Sequence, residues 1–149
     1  MPAPLPGTLH LTVTLRDQLK RDEGKSAEMY LDSRGFLTIG YGHLLRGGPP
    51  LSDAAMEQIL GDDLLATTQA LRDRLPWVVT LSSAREGALV NMAFNMGVGG
   101  VAGFKKMLAA LQAQEWDTAA RELLDSKYAT QVGERATRLA QQLITDTWV

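Results

Sequence analysis

The feature that most constrains the fold is one β-forming stretch, residues 28–46, in a chain whose other patterns are helical. Two strand-like runs, Tyr30-Leu31 and Phe36-Leu37-Thr38-Ile39, flank the turn signal Asp32-Ser33-Arg34-Gly35. Gly40-Tyr41-Gly42-His43 then bends the chain toward a third short strand. The stretch therefore predicts a small antiparallel sheet near the start of the chain.

Helical patterns flank this stretch on both sides. A first helix is predicted from Thr14 as its cap to Gly24, and a long one over 53–74, after Ser52 and before Pro76. The next begins with Ser83 at its cap and Glu86 three residues later, a capping-box pattern. Three further amphipathic helices are predicted over Phe104–Gln112, Trp116–Leu124 and Glu134–Thr147. These patterns favour an α+β fold.

The order of the elements predicts one domain with two lobes and a cleft between them. A chain of 149 residues with 45% apolar residues can bury a core. The predicted parts are an N-terminal arm (1–13), helix 1 with the β lobe (14–51), a linking helix (52–75) and an all-helical lobe (76–149).

Composition excludes several classes of site. The chain has no cysteine, which removes disulfides and thiolate ligands, and only two histidines, so no metal site is expected. The net charge of −2 comes from charges mixed along the chain, which argues against a nucleic-acid partner. The N-terminus lacks the pattern of a signal peptide, and no window resembles a membrane span. We therefore expect a protein that is made soluble, without stable membrane association.

Two acids in the first part of the chain have the chemistry for glycoside hydrolysis. Glu23 ends the first helix and Asp32 begins the hairpin turn. Cleavage of a glycosidic bond needs a protonated acid at the leaving oxygen and a second carboxylate. In a chain with 17 acidic residues, however, two carboxylates nine positions apart are more often solvated surface residues.

The residues around these acids distinguish the two interpretations. Glu23 is followed after eight residues by Asp32, after five more by Thr38, and then by Gly40-Tyr41-Gly42-His43. This spacing resembles the signature of the phage-type lysozymes, the bacteriophage endolysin family of muramidases. Further blocks in the same order look like the family's central helix, the corner after it and its last helices: 88–97, 100–104, 116–120, 135–138 and 147–148.

The resemblance covers about residues 15–148 and departs from the family pattern in two places. The chain is shorter than the T-even phage enzymes between His43 and the long helix, and the arm before residue 14 is additional. Neither departure touches the acid pair. The resemblance implies a lysozyme-like fold with the active site between the lobes.

The resemblance also implies roles for individual residues. Glu23 would be the general acid, Asp32 would position or activate the attacking water, and Thr38 would hold that water. Arg135 matches an arginine that lies close to the acid, although it could also be a helix-surface residue. His43 would be structural, paired with Asp62 or Asp63, rather than a base or metal ligand.

A third group of residues could contact a saccharide. Sugar sites combine aromatic faces with amide and hydroxyl partners. Candidates lie in both predicted lobes: Tyr41, Leu44, Phe94, Asn95, Tyr128 and Gln131. For Leu44 and Phe94, simple packing is an equal alternative.

The expected function is hydrolysis of the β-1,4 bond between N-acetylmuramic acid and N-acetylglucosamine in peptidoglycan, with inversion and without a cofactor. The protein would act as a monomer on glycan strands of the periplasmic wall, after release from the bacterial cytoplasm through a separate pore. Two alternatives remain: a lytic transglycosylase that yields 1,6-anhydro products, and an inactive peptidoglycan-binding module.

Overall fold

The computed structural model describes residue 16 and residues 19–149. The predicted arm (1–13) and the predicted cap Thr14 lie outside these residues. The described chain divides into two compact units at the boundary between Ser52 and Asp53. It combines a small antiparallel sheet with a set of helices, which confirms the α+β fold class.

The first unit contains the end of helix α1, helical over 19–23, and a three-stranded sheet. The strands are β1 (Ser26–Leu31), β2 (Leu37–Gly40) and β3 (His43–Leu44), all antiparallel, in the order β1-β2-β3. In the β1–β2 loop the N–H of Gly35 donates to the carbonyl of Asp32 at 2.9 Å, and Gly35 has a φ of +81°. Glycine adopts this conformation without strain, so the turn signal forms the hairpin.

The second unit is helical throughout its described elements. They are α2 (Asp53–Arg74), a 3-10 turn (Pro76–Thr80), α3 (Ser83–Met96), α4 (Val98–Ala102), α5 (Lys105–Gln112), α6 (Trp116–Leu124), α7 (Lys127–Val132) and α8 (Glu134–Thr145).

The core of the second unit forms around α3. Ala88, Leu89 and Met92 on this helix are almost fully buried, and α3 contacts α2, α4 and α8. Leu123 on α6 and Leu143 on α8 belong to the same apolar cluster. Because apolar residues of α3 lie on several of its sides, the helix can pack against several neighbours at once.

The structure corrects the predicted start of α3. The cap is Ser82, whose backbone is extended and whose hydroxyl accepts from the N–H of Arg85 at 3.3 Å. Ser83, the predicted cap, is already the first helical residue. Both serines are competent caps, and the helix starts one residue earlier than the capping-box pattern indicated.

Two short helices were missed by the sequence patterns. The first, α4, lies where a corner was expected. The second is α7. It has six residues, too few to show an apolar stripe, and the Ser126 hydroxyl caps it by accepting from the N–H of Ala129 at 3.2 Å. The predicted helix over 134–147 also ends earlier, at Thr145, where Asp146 adopts a left-handed conformation.

Candidate active site

Glu23 lies at the last helical position of α1, directly before Gly24, whose φ of +71° ends the helix. Its side chain is exposed and rests against the turn between β2 and β3. A methyl group built on Gly42 of that turn would lie 2.8 Å from the Glu23 Oε2 atom. The helix end therefore places an acidic side chain directly on the sheet's second turn.

Asp32 opens the β1–β2 loop, and its carboxylate is held by that loop. Its Oδ1 accepts from the backbone N–H groups of Arg34 and Phe36, both at 2.9 Å, and its Oδ2 accepts from Arg34 Nη2 at 3.2 Å. The N–H of Phe36 is the main cause that holds the pKa of Asp32 below its usual value. Desolvation opposes this effect, and the N–H and the guanidinium of Arg34 add to the lowering. Asp32 is therefore an oriented carboxylate that stays ionised at neutral pH.

Thr38 occupies the middle strand, paired with Tyr30 on β1 and Leu44 on β3. Its side chain is 1% exposed, and its hydroxyl donates to the carbonyl of Phe36 at 3.0 Å. With its proton directed at Phe36, the hydroxyl oxygen keeps acceptor capacity for one further donor.

Phe36 joins these two residues through its backbone, which the sequence patterns did not indicate. Its N–H donates to Asp32 Oδ1, while its carbonyl accepts from the N–H of Asp32 at 2.9 Å and from the hydroxyl of Thr38. Asp32 and Thr38 are thus both hydrogen-bonded to the backbone of one residue. No side-chain pattern could reveal this role, because any residue except proline offers the same backbone groups.

His43 and Leu44 form the short strand β3, where His43 pairs with Ile39 and both side chains are half-buried. The predicted pairing of His43 with Asp62 or Asp63 would join the first unit to the second and stays a prediction. Within α2, Asp62 accepts a hydrogen bond from Gln58 Nε2 at 3.0 Å.

Arg135, at the start of α8, is held by α3. Its Nε donates to Asn91 Oδ1 at 2.8 Å, and its Nη2 donates to the Asn91 carbonyl at 3.1 Å. Asn91 was part of a resemblance block but had no predicted role. Only the packing of α8 on α3 brings this asparagine to the arginine. The predicted pairing of Arg135 with Glu23 joins the two units and stays a prediction.

The remaining saccharide candidates of the second unit differ in exposure. Phe94 and Asn95 near the end of α3 are exposed, as is Gln131 on α7. Phe94, Asn91 and Arg135 line one groove of about 480 Å³ within this unit. The structure thus brings two predicted residues, Phe94 and Arg135, to a common groove.

Tyr128, by contrast, is 4% exposed and meets the ring of Phe104 edge-on, with the ring centroids 6.2 Å apart. Burial raises the pKa of the Tyr128 phenol, and the positive charge of Arg135 partly offsets that rise. No protein atom of the described chain accepts or donates a hydrogen bond at its hydroxyl.

A metal-binding cluster and a membrane-spanning helix are both absent from the described residues. Residue 16 and residues 19–149 contain no group of three or more His, Cys, Asp or Glu side chains arranged to hold a metal ion. Among the same residues, no helix has the length and apolar character needed to cross a membrane.

Comparison with known proteins identifies the family. The family model for phage lysozyme matches residues 20–142, which include Glu23, Asp32 and Thr38. The chain belongs to the phage lysozyme family. It is therefore a lysozyme-type glycoside hydrolase whose substrate is peptidoglycan.

Relatives of this phage-type lysozyme occur in different biological settings. It is 29% identical to Probable T4-type lysozyme 1 of Dictyostelium discoideum, over 90% of this chain and 95% of that protein. It is 30% identical to the endolysin of Salmonella phage P22, over 72% and 76% of the two chains. It is also 32% identical to the pre-baseplate central spike protein of Enterobacteria phage T4, but spans only 28% of that protein.

Proposed function

We propose that this lysozyme hydrolyses the β-1,4 bond between N-acetylmuramic acid and N-acetylglucosamine, with Glu23 as the general acid. The observation that most supports this is the state of Asp32, an ionised carboxylate oriented by two backbone N–H groups of its own loop. Such a group suits activation of water, while the exposed carboxyl group of Glu23 is accessible to the leaving oxygen of a substrate.

In the proposed mechanism the water attacks the anomeric carbon from the face opposite the leaving group. Asp32 accepts the water's proton, and Thr38 holds the water as its hydroxyl oxygen accepts a hydrogen bond. Glu23 gives its proton to the leaving oxygen, so that one sugar leaves as an alcohol and the other as a hemiacetal. This single displacement inverts the anomeric centre, and it needs carboxyl groups roughly 6.5–9.5 Å apart.

Residues of both units complete the proposal. We propose that Leu44, Phe94, Asn95, Tyr128 and Gln131 contact the glycan. Arg135, already oriented by Asn91, is proposed to support the acid, and His43 to support the β lobe. The protein would work without a cofactor, as a monomer, and would degrade the host wall after release through a separate pore.

The decisive experiment replaces the acid by its amide. Glu23→Gln keeps the size of the side chain but removes the proton donor, so clearing of a wall suspension falls at least about 1,000-fold. Asp22→Asn is the matched control, because it removes a neighbouring carboxylate of the same helix turn and leaves clearing unchanged. Clearing by Glu23→Gln at the wild-type rate would refute the assignment of the acid.

Product analysis tests the type of reaction. Hydrolysis with inversion releases new reducing ends, and NMR of early products shows the α-anomer first. Mass spectrometry that found 1,6-anhydro sugars would instead support the transglycosylase. Binding to sacculi without any bond cleavage would support the inactive wall-binding module.

A further inference from the structure

Among the described glycines of the first unit, a side chain at Gly42 or Gly48 would meet another residue, and at Gly42 that residue is Glu23. A Cβ built on Gly42 would lie 2.8 Å from Oε2, 3.1 Å from Cδ and 3.3 Å from Cγ of Glu23. All three atoms belong to the end of the acid's side chain. The carboxyl group of Glu23 therefore borders the space that a side chain at position 42 would take.

From this contact we propose that Gly42 is a positioning residue for the reaction, since its lack of a side chain fixes where the carboxyl group of Glu23 lies. This inference rests on the proposed function of Glu23 as the acid. The Glu23 carboxyl group packs against the backbone of the β2–β3 turn. Hydrogen bonds between β2 and β3 hold this turn in place. A methyl group there would push the carboxyl group away from its position.

The geometry explains why displacement is the expected response. The Glu23 side chain is exposed, so it can rotate away from an added methyl group at little cost in stability. General acid catalysis, however, depends on the position of the proton relative to the leaving oxygen. A misplacement of about 1 Å can cost about 100-fold in rate. The effect should therefore appear in catalysis more than in folding.

Gly40 provides a matched control two residues away. Both glycines have positive φ, +68° at Gly40 and +74° at Gly42, so alanine at either position suffers similar backbone strain. A Cβ on Gly40 would have no neighbour within 4 Å. Gly40→Ala therefore reports the strain of the turn alone, whereas Gly42→Ala reports that strain together with the displaced carboxyl group.

The test measures kcat and KM of both variants on a soluble oligosaccharide of alternating N-acetylmuramic acid and N-acetylglucosamine. We expect Gly42→Ala to lower kcat about 100-fold relative to Gly40→Ala, with KM changed by less than about threefold. A crystal structure of Gly42→Ala should show the Glu23 carboxyl group in a new position, and that of Gly40→Ala in the original one. Equal kcat values for the two variants, or a loss confined to KM, would overturn the inference.

A second pair of variants covers the case in which alanine prevents folding. Asparagine tolerates positive φ better than alanine but still carries a Cβ, so Gly42→Asn and Gly40→Asn repeat the comparison with less strain. The same kcat criterion applies to this pair. If Glu23→Gln is inactive while the paired variants have equal kcat, only the role of Gly42 fails. If Glu23→Gln is active, the proposed function fails first.

Discussion

At the scale of single residues, the two carboxylates have opposite surroundings. Asp32 accepts hydrogen bonds from two backbone N–H groups and from a guanidinium, which favours its ionised form. Glu23 is exposed and contacts the Cα face of a glycine. The environment of Asp32 therefore fits the base role that we propose for it.

A residue-scale prediction separates the charge of Asp32 from its hydrogen bonds. Asp32→Asn keeps Oδ1 as an acceptor for the N–H groups of Arg34 and Phe36 but removes the charge. We expect kcat to fall about 1,000-fold with the hairpin intact. Asp32→Ala removes the acceptor too, so it should lower kcat and should lower the urea midpoint more than Asp32→Asn does. A variant Asp32→Asn that clears walls normally would contradict the role of this carboxylate.

The pH dependence of stability tests whether the ionised form of Asp32 stabilises the fold. The pKa of Asp32 in the folded protein lies below its usual 3.8, so the ionised form stabilises the fold above that pH. This contribution is lost as the pH falls through 3.8 and then through the lower folded pKa. Urea unfolding should therefore find the wild type more stable than Asp32→Asn at pH 7, by a margin that shrinks in acid.

At the scale of elements, the start of α3 contacts two helices that lie later in the chain, α6 and α8. Arg85 near its start places its guanidinium 3.7 Å from the centre of the Trp116 ring on α6 and donates to the carbonyls of Leu143 and Ile144 at the end of α8. A cation is favourable at a helix C-terminus, because the last carbonyl groups there lack partners within the helix. The start of α3 thus stabilises the end of α8.

An element-scale prediction compares the two serines at this helix start. Ser82→Ala removes the cap and the hydrogen bond between Ser82 and Asp146, so it should lower the free energy of unfolding by about 1 kcal/mol. Ser83→Ala, at the first helical position, should change it by less than about 0.5 kcal/mol. Urea denaturation measures both. A larger loss of unfolding free energy from Ser83→Ala than from Ser82→Ala would indicate that Ser83 is the cap, as the capping-box pattern predicted.

At the scale of the whole molecule, buried apolar side chains are concentrated in one unit. The apolar core cluster extends from Leu71 to Leu143, entirely within residues 53–149. In the described part of the first unit, Thr38 is the sole side chain classed as buried. Burial of apolar surface is the main source of folding free energy, so the second unit should be the more stable one.

A prediction at this scale separates the units. A fragment of residues 53–149 should fold by itself and unfold cooperatively, with a free energy of unfolding of about 5 kcal/mol from the usual ~0.05 kcal/mol per residue. A fragment of residues 1–52 should lack a cooperative transition. Circular dichroism with urea titration measures both. A stable first fragment beside an unfolded second one would contradict this distribution of the core.

The sequence by itself determined the hairpin, the long helix and the spacing of Glu23, Asp32 and Thr38. These features depend on local chemistry, such as turn residues, helix periodicity and fixed intervals along the chain. The tertiary structure alone decided that the Glu23 carboxyl group lies on Gly42 and that Asn91 orients Arg135. Contacts between residues so far apart in sequence depend on how elements pack, and no local pattern records that packing.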